Sequence, residues 1–175
     1  MRWILRSFLL SIMFLFFFYS PIFAQSSYVL PYPSFMPGSP FYKINLIKDK
    51  ILKYWYFGKF GQFNYNLKQA DKYLVEAKTL FEYDQFLLGQ KALKKSDEYF
   101  YNIRSNLDNS KANKESIDSK RTLLKEASLK HIEALLMLRE GIPEKVYWRP
   151  EKSFSTKIYL KKDIEMSISI RRKNL

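Results

Sequence analysis

The sequence contains no cysteine, one histidine and only 5 glycines among 175 residues. Without cysteine, the chain has no disulfide, thiolate metal site, cysteine nucleophile or lipid attachment through a lipobox cysteine. A single histidine excludes a multi-histidine metal cage. Scarce glycine argues against loops that cradle phosphate groups. We therefore expect no catalytic residue, no metal site and no cofactor.

Acidic residues are also few in comparison with basic ones. The chain has 30 Lys and Arg against 17 Asp and Glu, a formal net charge of +13, and 47% of its residues are hydrophobic. This hydrophobic fraction is sufficient for a core, so one globular domain is expected. The charge fits a surface that binds an anionic partner. AT-rich codons, which favour lysine, asparagine and tyrosine, explain it equally well.

The first 24 residues have the order of a secretory signal peptide. Arg2 and Arg6 precede an uncharged apolar run over 7–19, Pro21 interrupts it, and Ala24 offers a small residue for cleavage. The alternative is an uncleaved anchor, although 7–24 falls slightly short of the roughly 20 apolar residues that span a bilayer. In either case we predict that the remaining chain lies outside the cytoplasm and is secreted, or membrane-anchored through this segment if it is not cleaved.

Residues 25–39 are predicted to form a proline-rich strap. Pro31, Pro33 and Pro37 hold the backbone extended, and the apolar side chains between them predict that the strap lies against the helices. Ser39 and Pro40 mark a helix start, with the serine hydroxyl as cap and proline at the first helical position.

A helical bundle domain is predicted over 40–143. Its first helix presents one apolar face and ends at the glycines 58 and 61; the face comprises Phe41, Ile44, Ile47, Ile51 and Trp55. Helices follow over 62–81, 85–107 and 116–139, with a polar loop at 108–115.

Residues 144–175 are predicted to be an irregular basic tail. Apolar and polar residues alternate over 164–171, which fits a strand, but no partner strand is apparent and a lone strand is not stable. We favour a short helix over 162–172. The fold class is therefore all-α: a bundle of about four helices after a signal peptide, with an N-terminal strap and an irregular tail.

Three groups of residues are candidates for catalysis or ligand binding. His131 shares a stripe with Leu124 and Leu138, which favours a structural histidine half-buried in a helix interface. The aromatic runs 54–57 and 99–101 fit base-stacking platforms, but their helical spacing favours the core. Six carboxylates were considered for glycoside hydrolysis; their lysine neighbours indicate solvated helix faces instead (Asp71, Glu76, Glu82, Asp84, Asp97 and Glu98).

Three segments carry a resemblance: LPYP at 30–33, PGSPFYK at 37–43 and ADKYLVEAK at 70–78. Together they resemble an uncharacterised helical extracytoplasmic domain family, common in secreted proteins of candidate-phylum, Patescibacteria-like bacteria. The segment at 37–43 is also similar to the ectodomain of some membrane anti-sigma regulators, in which the position of Ser39 is usually aspartate. The resemblance implies an all-helical, non-enzymatic domain and assigns no site residue.

These observations predict a structural or interaction module at the bacterial cell envelope rather than an enzyme. The expected partner is an envelope protein or an anionic polymer; nucleic acid is disfavoured because the lysines are spread along the chain. Alternatives are an extracytoplasmic sensor or regulatory module, and a basic binder of anionic polymer or DNA.

Overall fold

The computed structural model describes residues 27–108, 114–149 and 154–175. Within these ranges the chain is an all-α bundle, as predicted, and it also contains one small β-hairpin that was not predicted. The elements are α1 (Pro40–Trp55), α2 (Gly58–Glu82), α3 (Phe86–Asp108), α4 (Lys114–Gly141), β1 (Val146–Trp148), β2 (Thr156–Ile158) and α5 (Leu160–Arg172). The predicted signal peptide over 1–24 lies outside the described residues, as does most of the predicted loop at 108–115. None of the helices just named combines the length and the apolar character of a membrane-spanning segment.

An antiparallel pair of long helices, α2 and α3, is the centre of the bundle. Asp84, considered above among the carboxylates, adopts a left-handed φ of 57° in the turn between them. Gly89 then lies directly against Phe81: a Cβ at Gly89 would stand 2.8 Å from the Phe81 ring. Because Gly89 has no side chain, α2 and α3 approach each other closely next to the turn that joins them.

Two apolar clusters fill the interior. One joins α2 and α3 to α4, the hairpin and α5, and its fully buried members include Leu93, Leu135, Leu160, Ile164 and Ile168. The other lies among α2, α3 and α4 and includes Phe63, Phe100 and Ile103. Burial of this apolar surface is the main driving force for the fold.

The C-terminal segment is more regular than the sequence indicated. The favoured helix forms, as α5, and two of its isoleucines (Ile164 and Ile168) are fully buried. Its neighbours β1 and β2 pair antiparallel, with Val146 opposite Ile158. The hairpin was missed because each strand has only three residues, too few for an alternating pattern to stand out.

The strap lies against the helices, as expected, since Leu30 and Met36 pack on the first cluster. Helix α1 begins at Pro40, also as predicted, but the side chain of Ser39 makes no capping hydrogen bond. Helix α2 begins at Gly58, four residues earlier than predicted, so Gly61 lies inside it. A Cβ at Gly61 would stand 2.7 Å from the carbonyl carbon of Tyr56, so the chain needs glycine at this corner.

Candidate functional site

The unique histidine lies in a buried polar network. His131 on α4 has no exposed surface, and its Nε2 lies 2.6 Å from Oδ1 of Asp71 on α2. Its other ring nitrogen, Nδ1, accepts the Nε–H of Arg171 on α5 at 3.0 Å. Since arginine can only donate, Nδ1 carries no proton and Nε2–H donates to Asp71. The second oxygen of Asp71 accepts the hydroxyl of Tyr28 from the strap at 2.6 Å.

Arg171 extends this network to α3. Its Nη1 donates to Oδ1 of Asp97 at 2.6 Å, and its Nη2 donates to Oγ of Ser96 at 2.8 Å. The hydroxyl of Ser167 also donates to Asp97 at 2.6 Å. The guanidinium carbon lies 4.9 Å from the ring centroid of Phe100, which is within cation–π range. A fully buried arginine thus has a carboxylate, hydroxyls and an aromatic face around it.

Burial determines the protonation of this network. It lowers the pKa of His131 to about 4, and the charge of Arg171 acts in the same direction, against the opposing effect of Asp71. Burial also lowers the pKa of Arg171, while Asp97 opposes that change. The histidine is therefore neutral at pH 7. With no exposed surface and both ring nitrogens engaged, it joins α2, α4 and α5 and has no atom free to meet a substrate.

The lysine-flanked carboxylates occupy different environments, and the solvated interpretation is wrong for two of them. Asp71 and Glu76 are buried on α2, and Glu76 accepts the Tyr42 hydroxyl at 2.8 Å. Burial raises the pKa of Glu76. The sequence pattern predicted that this face of α2 is exposed to solvent. The prediction was wrong because the strap and α1 cover the face. Glu82, Asp84 and Glu98 are exposed as expected, and Asp97 is partly buried.

Glu76 and Glu98 both line a groove of about 440 Å³ between the strap, α1 and α3. Three lysines share its lining (Lys91, Lys94 and Lys95). The groove therefore combines two carboxylates with a basic surface. Among the described residues, no group of three His, Asp and Glu side chains is arranged to hold a metal ion.

Helix α1 packs on the bundle through its polar face. Asn45 and Asp49 are its buried residues. Asp49 forms an ion pair with Lys72 of α2, and its backbone oxygen accepts the Tyr65 hydroxyl at 3.1 Å. Together with the Tyr42–Glu76 bond, these contacts make a polar interface in which each helix satisfies groups of the other.

The opposite face of α1 is apolar and exposed. Its five predicted stripe residues each leave more than half of their surface open to solvent, and Trp55 leaves 73% (the others are Phe41, Ile44, Ile47 and Ile51). We name these five residues the α1 stripe. The expectation that Trp55 belongs to the core is therefore wrong. Asp49 has a charged and a hydroxyl partner on α2, and Asn45 donates to the Ser34 hydroxyl of the strap at 3.5 Å. The polar side of the helix is therefore turned inward.

The two aromatic runs divide between surface and core. In 54–57, Tyr54, Trp55 and Phe57 are exposed. In 99–101, Phe100 is fully buried and Tyr101 is exposed. Tyr99 stacks on Tyr73 with ring centroids 5.8 Å apart. The core assignment is correct for Phe100, whereas the aromatic residues at the end of α1 add to its exposed face.

No family model, curated protein or solved structure matches this chain. The resemblance to the helical extracytoplasmic family stays a prediction.

Proposed function

We propose that this protein is a non-catalytic interaction module that lies outside the cytoplasm, at the bacterial cell envelope, with the α1 stripe as its contact surface. The observation that carries the proposal is the orientation of α1, in which the polar residues Asn45 and Asp49 are buried while the five side chains of the α1 stripe are more than half exposed. Contiguous exposed apolar surface of this kind typically marks an interaction site.

The remaining features support the same proposal. His131, the natural candidate for acid–base chemistry, is sequestered by Asp71 and Arg171, so its role is to hold helices together. The residue order in 1–24 supports export. A rigid bundle that displays one apolar helix suits a module that acts by surface complementarity.

The exposed lysines next to the stripe favour a second candidate, a binder of anionic polymer. Lys43, Lys48 and Lys50 are all exposed on α1, and contacts made through such charges weaken as salt is added. Apolar contacts do not weaken in this way, so salt separates the two candidates.

The test is co-sedimentation of the full chain with cell envelopes at low and high salt, compared among three proteins: wild type, Ile47→Glu/Ile51→Glu and Met137→Glu. Met137 on α4 is a matched control because its exposure, 61%, is close to that of Ile47, 59%. We expect wild type and Met137→Glu to sediment at both salt concentrations and the α1 variant to stay in solution. Sedimentation that is lost in salt and unaffected by the α1 variant would favour the polymer binder. Equal high-salt sedimentation of all three proteins would contradict a role for the stripe.

A further inference from the structure

The orientation of α1 leaves the α1 stripe largely exposed to solvent. At the start of the stripe the Phe41 ring lies 5.3 Å from the ring of Phe35 in the strap, which is itself half exposed. At the other end, Tyr54, Trp55 and Phe57 extend the exposed apolar surface beyond the helix. The surface thus runs the full length of α1, from the strap to the corner before α2.

The charges around this surface identify the kind of occupant. At 100° per residue, Lys43 and Lys50 border the stripe on one side, and Lys48 lies within it near the other side, in angle between Trp55 and Phe41. Asp49, the only acidic residue of α1, is turned inward and paired with Lys72. The outward face therefore carries apolar and basic groups and no acidic group, which complements an apolar surface with anionic margins. A second copy would bring lysines against lysines.

An anionic bilayer has this combination of properties. Helices that lie in the membrane interface present tryptophan, phenylalanine and aliphatic residues to the acyl chains, with lysines at the level of the headgroups. Tryptophan and tyrosine prefer the interface itself, and Trp55 and Tyr54 occupy one end of the face. The length of the intervening chain is also suitable, since α1 begins only 16 residues after Ala24, which ends the segment that would anchor the chain if it is not cleaved.

We propose that α1 lies flat on the surface of an anionic lipid bilayer, with the α1 stripe in the acyl boundary and its lysines at the headgroups. This inference rests on the proposed function and specifies the partner of the same surface. It places a membrane contact within the folded domain, in addition to the N-terminal segment if that segment is not cleaved.

The test uses Trp55 as its own reporter. The chain has three tryptophans (Trp3, Trp55 and Trp148), so full-length Trp3→Phe/Trp148→Phe retains one fluorophore, on α1. This protein is titrated with protein-free vesicles of phosphatidylglycerol and phosphatidylcholine in equal parts, and with vesicles of phosphatidylcholine alone. Because emission comes only from α1, insertion of the apolar run at 7–19 does not imitate the signal.

We expect anionic vesicles to shift Trp55 emission to the blue and to allow quenching by brominated lipid. In the same background, Ile47→Glu/Ile51→Glu should lower the partition constant more than tenfold, and Met137→Glu should change it less than about twofold. Lys43→Gln/Lys48→Gln should lower it by roughly tenfold or more on anionic vesicles and hardly at all on neutral ones, because each lysine near the surface contributes about a fivefold change.

Three outcomes would overturn the inference. Emission that does not respond to anionic vesicles would exclude docking. Emission already blue-shifted without vesicles would show that α1 is covered by the chain's own apolar run or, if it depends on protein concentration, by a second copy. A response equal in wild type and Ile47→Glu/Ile51→Glu would place the contact elsewhere. If envelopes retain the protein through the stripe but lipid vesicles do not, the proposed function stands and the stripe binds a protein.

Discussion

Arg171 donates its Nε–H to Nδ1 of His131 across 3.0 Å, and this bond fixes the tautomer of a histidine that also donates to Asp71. The neutral ring is therefore part of the folded structure. Protonation would place a second charge beside the guanidinium in a site without solvent, at a high electrostatic cost.

We expect the free energy of unfolding to fall as the pH is lowered from about 7 to about 4. The pKa of His131 is about 4 in the folded chain, below its ordinary value of 6.5. The unfolded state therefore binds more protons between these two values, so acid favours unfolding. The stabilisation is complete above pH 6.5 and should decrease by up to about 3 kcal/mol by pH 4.

Urea unfolding of wild type and His131→Gln at several pH values measures this effect. The variant has no titrating ring, so its stability between pH 7 and 5 should be nearly constant, although lower than that of the wild type at pH 7. An equal pH dependence in both proteins would show that other groups titrate in this range.

Replacement of Arg171 by methionine should destabilise the protein by about 3–5 kcal/mol, because it leaves the partly buried Asp97 without its cation and Nδ1 of His131 without a donor. The neighbouring Arg172 is exposed, so Arg172→Met is the matched control and should change stability by less than about 0.5 kcal/mol. Chemical denaturation of the two variants measures the difference. A loss below 1 kcal/mol at Arg171 would indicate that methionine packing replaces the network.

Sequence periodicity predicted the helices well, but it could not predict this network. The stripe around His131 predicted a histidine half-buried in a helix interface; it lies in such an interface but is fully buried there. Arg171, in contrast, lies in the segment predicted to be a basic tail, and its neighbours in the sequence do not indicate that it is buried. Its burial depends on Asp97, 74 residues away. Partners so distant in sequence are brought together only by tertiary packing, which local patterns do not encode.

Helix α1 illustrates a second limit. The spacing identified both the helix and its apolar stripe, but a pattern of this kind does not say which face is turned inward. Here Asp49 finds Lys72 and Tyr42 finds Glu76, and these long-range pairs favour packing of the polar face. The usual rule, apolar residues inward, therefore gives the wrong orientation for Trp55.

Trp55→Ala should cost less than about 1 kcal/mol, because 73% of the Trp55 surface is already exposed. Had Trp55 been in the core, as the sequence suggested, the loss would be about 3–5 kcal/mol. Phe100→Ala provides the comparison, since Phe100 has no exposed surface and should show that larger loss. Thermal or urea denaturation distinguishes the two expectations, and similar losses at both positions would contradict the exposure of α1.

Gly89→Ala should destabilise the protein by about 1–3 kcal/mol, although alanine normally stabilises a helix interior. A Cβ at Gly89 would stand 2.8 Å from a Phe81 ring that is almost fully buried and has little room to move. Gly141 at the end of α4 is the control, since nothing lies within 4 Å of its Cβ position. Gly141→Ala should be neutral or slightly stabilising. Equal effects of the two substitutions on the unfolding midpoint would show that α2 and α3 leave enough room at Gly89 for a methyl group.

Two buried carboxylates on α2 should respond in opposite ways to loss of charge. Both oxygens of Asp71 are engaged, by His131 and Tyr28, so Asp71→Asn should cost about 1–3 kcal/mol. Glu76 accepts the Tyr42 hydroxyl through Oε1, but its Oε2 is buried without a hydrogen-bond partner.

Burial raises the pKa of Glu76 above 4.5, so the folded state disfavours its charged form. Glu76→Gln retains the acceptor for Tyr42 and removes that charge. At pH 7 it should therefore leave stability unchanged or raise it by up to about 1 kcal/mol. As the pH falls through the raised pKa of Glu76, the wild type should recover this difference, because the protonated carboxyl is also neutral. A loss above 1 kcal/mol at pH 7 would show that the nearby lysines stabilise the carboxylate more than burial disfavours it.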